Sequence, residues 1–530
     1  MKNDEIEKFI QHNQKVFHSS RPVRAGQPVV LLEMNALHSA HIAYSYFANA
    51  MASASSARLV AYDPYLVVRW RDYLYGNKRR HQTENEASVY RSFGVSEVLG
   101  VPRSRLREMR AKRLAKKIHA TLTCKKDIED IAIRGVRIGD LLYDSYLQQH
   151  RKPTAEINSP EFQRYLVEAL DLFLHWEDFF KNNTVAAINV SHCVYTLAIP
   201  LRIAVHHGIP AFQVNVTHAY RLSQKNLFAY NDFFYFRERF AELPIPIQNA
   251  GLLEAERRIE RRLNGEIGVD MSYSKKSAFG SPDARKLLRP SSKKKILIAT
   301  HCFFDSPHSY GDNIFPDFYE WLEFLGGVSQ ATDYDWYIKT HPDYLSGTME
   351  VIESFLRRYP NITLLPADSS HLQIISEGIN LALTVYGTIA FEYALLGIPV
   401  INASQNNPHI AYSFNLHAES IGHYKKLLMD PQTFFHKASK RDIYEYYFMK
   451  NIYNTENLFF QDYEKTIAGL GGYDKQFTPM VYGKWMNEWT PKGHAEIINA
   501  IQRFADSGDF RMEDQHMNSP IQTLGKSRKP

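Results

Sequence analysis

Short continuous apolar runs alternate along this chain with longer stretches in which apolar residues recur at helical spacing. The runs "PVVLLEM" (28–34) and "ARLVAYD" (57–63) read as strands, and "SAHIAYSYFANAMASA" (39–54) between them reads as a helix. The same alternation returns with "TVAAINVS" (184–191), a helix over 194–207 and "IPAFQVN" (209–215). A second and more regular series follows: "KKILIATH" (294–301), "DWYIKTH" (335–341), "NITLLP" (361–366), "NLALTVYG" (380–387) and "IPVINA" (398–403), each pair joined by a helical pattern. Strands alternating with helices of this length predict parallel β-α-β units, and five such strands make a doubly wound sheet.

Between the two series the segment from 264 to 293 is rich in Ser, Gly, Pro and Lys and reads as an interdomain linker. The expected organisation is an N-terminal domain over 1–263, the linker, and a C-terminal domain over 294–475. A helical segment over 476–508 would pack back on the N-terminal domain, and 509–530 would form a disordered tail.

Composition narrows the class without changing this picture. A chain of 530 residues with 44% hydrophobic and 23% charged residues can bury a large core and splits into two or three domains. No apolar run approaches the roughly 20 residues that span a bilayer. The first residues, "MKNDEIEKFIQHNQ", lack the apolar core of a signal peptide, so the expected location is the cytoplasm. Three cysteines, Cys124, Cys193 and Cys302, lie far apart and form no C-x-x-C pair, which disfavours a disulfide framework and a zinc site. The net charge of +6 is modest for this length and does not indicate nucleic acid. Its distribution is uneven: "RSRLREMRAKRLAKK" (103–117) holds eight basic residues and only Glu108 as an acid. Such a helix is either a cationic surface for acidic headgroups at the inner face of a membrane, or an ordinary solvated face.

Candidate chemistry gathers at strand ends of the second series. "WYIKTHPDY" delivers Lys339, His341 and Pro342 to the carboxyl edge of a sheet, where open α/β folds bind ligands. In "TVYGTIAFEYALLGIPV", Gly387 permits close backbone approach and Thr388 is suited to cap the next helix, whose free N–H groups would receive a phosphate. Glu392, one turn further, could accept hydrogen bonds from sugar hydroxyls. The plainer alternative is that any β-α-β unit has a capped helix start and a glycine stop. No G-x-G-x-x-G, Walker A, H-E-x-x-H or G-x-S-x-G pattern appears, which disfavours dehydrogenases, P-loop enzymes, zincins and α/β-hydrolases.

The K-x-H-P element (Lys339, His341, Pro342), followed by Y-G-T-x-x-x-E-Y-x-x-x-G-x-P-V over Tyr386 to Val400, resembles the nucleotide-binding half of GT-B glycosyltransferases of bacterial capsule and lipopolysaccharide assembly. It is most similar to the capsule family that includes the β-Kdo transferases, and more distantly to polysialyltransferases and CDP-glycerol polymerases. The loop "ATHCFFDSPHSYGDNIFPDFYEWLEF" (299–324) shares the resemblance and would bring His301, Asp305 and His308 to the same crevice. "IRGVRIGDLLYDSYL" (133–147) resembles a segment of the same surface-polysaccharide proteins. The resemblance implies two Rossmann-like domains facing a central cleft. It implies a nucleotide-sugar donor on the C-terminal domain, a CMP-linked sugar acid such as CMP-Kdo first among them, and a glycan or glycolipid acceptor on the N-terminal domain. It implies no cofactor and no metal, the leaving phosphate being stabilised by His341 and the Gly387–Thr388 turn. A carboxylate of the N-terminal domain would act as base, with Glu33, Asp140 and Asp144 as candidates; His192 and His218 also follow predicted strands. Two alternatives share these features: a CDP-polyol phosphotransferase of teichoic-acid type, and a non-catalytic capsule assembly partner that keeps the GT-B shell.

Overall fold

The computed structural model describes residues 2–17, 26–63, 79–270, 276–341, 344–453, 458–461 and 463–517. Pro342 lies outside the described residues, as do 518–530 of the expected tail. The chain divides into two compact units: 1–143, 156–229 and 454–522 form the first, and 144–155, 230–453 and 523–530 the second.

The first unit is built on a six-stranded sheet. Strands β1 (Val29–Glu33), β2 (Arg58–Tyr62) and β3 (Val95–Leu99) form one half of it. After a small hairpin of β4 (Ala132–Ile133) and β5 (Val136–Arg137), β6 (Val185–Val190), β7 (Ala211–Asn215) and β8 (His218–Leu222) form the other. The order is β3-β2-β1-β6-β7-β8, parallel except for β8, which pairs antiparallel with β7. β1 is buried at every position because it is central and covered on both faces, which is why it reads as one unbroken apolar run. Helix His38–Ser55 crosses from β1 to β2 with most of its residues buried. It packs against Phe9 of the first helix and against Trp485 and Phe504 of the C-terminal helices Met480–Glu488 and Pro491–Ser507.

The second unit repeats the plan in parallel strands throughout: β9 (Lys295–Ala299), β10 (Asp335–Lys339), β11 (Ile362–Leu364), β12 (Leu381–Thr384), β13 (Val400–Asn402) and β14 (Leu416–His417), in the order β11-β10-β9-β12-β13-β14. Strand residues alternate between two cores. Ile296, Ile298, Trp336, Ile338, Leu381 and Leu383 face one, and Leu297, Tyr337, Ala382 and Val400 the other. Both sheets therefore reverse direction at one point, between β1 and β6 and between β9 and β12. Each has the strand order of a doubly wound Rossmann-like sheet.

The unit boundaries differ from those expected. The described residues of 264–293 carry no helix or strand, yet the segment lies inside the second unit rather than between units. Phe279 and Leu288 are buried there, and Glu377 accepts hydrogen bonds from the backbone of Leu287 and Leu288. A polar composition marked loose backbone, not a domain junction. Helix Ile245–Leu263 also belongs to the second unit, where Ile247, Ala255 and Ile259 join a core with Tyr446, Tyr447 and Phe448. Residues 454–475 fall in the first unit. The start of the expected tail is ordered: Arg511 bridges to Tyr220, and Met512 is buried.

Candidate functional site

At the reversal point of the second sheet, β9 and β12 end side by side. His301, two residues past β9, stacks on Phe318 with ring centroids 4.7 Å apart. Its Nε2 accepts the backbone N–H of Val385 at 3.1 Å and lies 3.0 Å from the Thr384 hydroxyl. A ring nitrogen that accepts must be unprotonated, and burial, with the charge of His341 as a smaller cause, pushes His301 down to about 3. His301 is thus a neutral brace for the turn after β12 and does not carry positive charge to a ligand. The Thr384 hydroxyl also takes the Gly387 N–H at 3.1 Å, and a Cβ at Gly387 would stand 2.8 Å from that hydroxyl. The close approach expected at Gly387 is therefore made within its own turn.

The helix that follows, Ile389–Leu395, is only seven residues long. Thr388 stands at its cap position with helical backbone angles and makes no side-chain cap, which corrects the capping role expected for it. Arg262 supplies what the sequence did not announce. Its Nε donates to Glu392 at 2.6 Å and its Nη2 to the Thr388 hydroxyl at 3.4 Å. Glu392, expected to meet sugar hydroxyls, is buried in this ion pair.

Lys339 is the last residue of β10, which neighbours β9, and is buried with Nζ donating to the Ala367 carbonyl at 2.8 Å. Burial lowers it to about 8, against the attraction of Asp368 and Glu392. His341, two residues on, is exposed. His371, at the start of helix His371–Ser376, shares a 2.8 Å hydrogen bond with the Tyr393 hydroxyl. It is held far below the usual imidazole range by burial, then by the charges of Lys339, His341 and Arg262. The edge of β9, β10 and β12 thus gathers Lys339 and Arg262 as its cations beside the exposed His341, with His301 and His371 neutral.

The loop after β9 is tied down locally. Asp305 accepts the N–H of Ser306 at 2.8 Å, and the Tyr386 hydroxyl donates to the Ser306 carbonyl at 3.2 Å. His308 is buried and meets Asp144 at 2.5 Å between Nδ1 and Oδ1. The two candidates were expected in different domains, yet Asp144 belongs to the second unit, as His308 does. A carboxylate on Nδ1 fixes the imidazole tautomer and orientation. Asp140, four residues earlier, has a separate partner. Arg202 grips it from Nη1 at 3.2 Å and Nη2 at 2.5 Å, and both side chains are fully buried in the first unit. One helical turn apart, the two carboxylates have separate partners, and Asp140 is a structural ion-pair member.

At the reversal point of the first sheet Glu33 ends β1. Its carboxylate accepts the Ser191 N–H at 2.6 Å and the Ser191 hydroxyl at 3.0 Å, just past the end of β6. Burial raises it to about 7, and the hydrogen bonds from Ser191, His192 and Tyr44 only partly offset that. His192 is exposed. His218, the first residue of β8, contacts Gln213 of β7 and Thr217 of the turn between them.

Two doubly wound units in one chain are the composition of the GT-B fold, and that is the class the strand order defines. No family model matches the chain, and no curated protein matches it in sequence. Among solved structures it is similar to the UDP-GlcNAc 2-epimerase of Neisseria meningitidis bound to UDP-GlcNAc, at 10% identity over 78% of this chain and 95% of that one, with a TM-score of 0.24. It is similar to a glycosyltransferase of Rickettsia africae at 9% identity over 91% and 100% of the two chains, TM-score 0.24. A third is CalG4, the calicheamicin glycosyltransferase, at 11% identity over 78% and 92%, TM-score 0.20. Among the described residues no helix is long and apolar enough to cross a membrane.

Proposed function

We propose that the chain is a GT-B glycosyltransferase that moves a sugar from a nucleotide donor to a surface polysaccharide or its lipid-linked primer. Its donor is a CMP-linked sugar acid of the CMP-Kdo kind. One observation carries the reading: Lys339, Arg262 and His341 converge with the Gly387–Thr388 turn at the reversal point of a doubly wound sheet, where open α/β sheets take their ligands. Positive charge fixed at the carboxyl edge favours the departing nucleotide phosphate more than the neutral groups around it, and it favours it most as charge develops on the leaving oxygen. His341 is the exposed member, so it is assigned contact with the phosphate. Glu33, with a proton affinity near neutrality, is the carboxylate best suited to take the acceptor proton; Asp140 is committed to Arg202 and Asp144 to His308. Such a base contributes about 10²- to 10⁴-fold to the rate.

The test is thermal unfolding of the wild type and His341→Ala with CMP, CDP, UDP and GDP at matched millimolar concentration. A nucleotide at about 100 times its Kd adds roughly 2.7 kcal/mol to the state that binds it. Selective stabilisation by CMP, weakened in His341→Ala, is the expected result. Preference for CDP would replace the reading with a polyol phosphotransferase. Indifference to all four would remove the nucleotide site and leave the non-catalytic assembly partner.

A further inference from the structure

Strand β8 is the last in the sheet of the first unit, yet its outer edge is covered. Helix Pro491–Ser507 ends at Gly508, whose φ of +79° turns the chain back, and residues 510–512 run antiparallel beside β8. The Arg221 N–H donates to the Phe510 carbonyl at 2.8 Å, and the Met512 N–H donates to the Ala219 carbonyl at 2.9 Å, one bond on each side of the Tyr220–Arg511 pair. Side chains add to these bonds. Phe510 packs against Tyr220 with ring centroids 5.3 Å apart, the Arg511 guanidinium lies 5.5 Å from the Tyr220 centroid, and Met512 is buried.

This strap is latched by His516. Its Nε2 lies 3.0 Å from Asp509 Oδ2, which accepts, so Nε2 carries a proton and Nδ1 accepts the Glu513 N–H at 2.9 Å. Arg503 Nε donates to the His516 carbonyl at 2.7 Å and fixes the far end of the strap to the helix. Along a strand the backbone groups of successive residues point to opposite sides, so Ala219 and Arg221 face the strap while Tyr220 faces β7. An edge with such outward N–H and C=O groups is a template for a further strand, and here the chain supplies that strand itself.

We propose that this edge is a pairing site for a second copy of the chain, and that the strap decides whether it is open. The register carries the proposal. The strap meets β8 with a carbonyl one residue before Arg511 and an N–H one residue after it. β8 holds the same two groups, the Ala219 carbonyl and the Arg221 N–H, one residue to either side of Tyr220. A second β8 laid antiparallel with Tyr220 opposite Tyr220 therefore replaces both strap bonds, the Arg221 N–H meeting the Ala219 carbonyl in each direction. The contact is self-complementary, as a two-fold axis requires, and it joins two six-stranded sheets into one. Strap and second copy use the same backbone groups, so each excludes the other. The pairing does not depend on the transfer reading.

The test uses the full chain, with mass read by light scattering after size-exclusion chromatography at matched concentrations. Met512→Pro removes the donor of the strap and should double the mass relative to wild type while a cooperative thermal transition is kept. A peptide of residues 509–517, added in excess, should return the variant to the wild-type mass. Adding Arg221→Pro should do the same, because it deletes the outward N–H that a second β8 needs and leaves the bonds to β7 in place. Should Met512→Pro fail to fold, Arg503→Ala with His516→Ala opens the latch without altering the paired strand, and the same doubling is expected. Unchanged mass in the folded variant, a doubled mass that survives Arg221→Pro, or assemblies larger than a pair would overturn the proposal.

Discussion

The residue that best separates environment from identity is Glu33. As a letter in "PVVLLEM" it is a carboxylate at a strand end; in the fold it is a buried acid raised from 4.5 to about 7. Between those two values the folded chain keeps a proton that the unfolded chain has released. Stability therefore falls as pH rises from about 4.5 through 7 and levels off above, by about 3 kcal/mol in all. His38 and His41, depressed by burial, act in the opposite sense, so the measurement is a difference. Urea unfolding of wild type and Glu33→Gln at pH 5 and pH 8 should show the wild type losing ground to the variant as pH rises. Parallel pH profiles would contradict the assignment. Tertiary partners also redirected the other candidates. Nothing local in "RIGDLLYDSYL" says that Asp140 meets Arg202 or that Asp144 meets His308, and Arg262 was invisible as the partner of Glu392 because 130 residues separate them.

At the scale of elements the apolar runs translated almost directly. The five strands expected in the second series are β9 to β13, and those expected in the first are β1, β2, β6 and β7. The strands missed were three of the four sheet edges and the small β4–β5 hairpin. β3 exposes Ser96 and Glu97, β14 has two residues, and β8 folds back on β7 within a few residues; none carries the double-sided burial that makes a strand legible. The basic run forms helix Arg105–His119, capped by Ser104. One face carries Arg107, paired with Asp171, together with Ala111 and Ala115, all buried. The opposite face presents Leu106 and Met109, 76% and 51% exposed, among Arg105, Arg113, Lys116 and Lys117. Apolar side chains inside a cationic field suit an acidic lipid surface, with each basic residue near it worth about 1 kcal/mol. Of the two readings the sequence left open for this helix, contact with acidic lipid predicts that the protein sediments with vesicles containing phosphatidylglycerol at low salt and is released by high salt. Replacing Leu106, Met109, Arg113 and Lys117 by Ser should abolish sedimentation. Equal recovery with neutral vesicles, or full binding by the quadruple variant, would exclude this helix as the contact.

For the whole molecule the decisive fact is that each unit is assembled from separated segments. The C-terminal domain expected at 294–475 omits helix Ile245–Leu263, whose Gly251 sits against the Phe448 ring so closely that a Cβ would stand 2.6 Å from it. Removing that helix exposes Tyr446, Tyr447 and Phe448 together. A fragment of 230–453, which keeps this helix though it lacks 144–155, should accordingly show a more cooperative thermal transition by circular dichroism than a fragment of 294–475. Equally sharp transitions would show the helix to be dispensable. The sequence by itself determined the α/β class, the central parallel strands and the strand ends that carry Lys339, His341 and Glu33, because burial on both faces and helical spacing are local patterns. The tertiary structure alone decided the unit boundaries, the neutral state of His301, and the pairing of Asp140 and Asp144 with separate partners. Each of these depends on which distant side chain or carbonyl supplies the next hydrogen bond and how far water is excluded, and neither is written in the local order of residues.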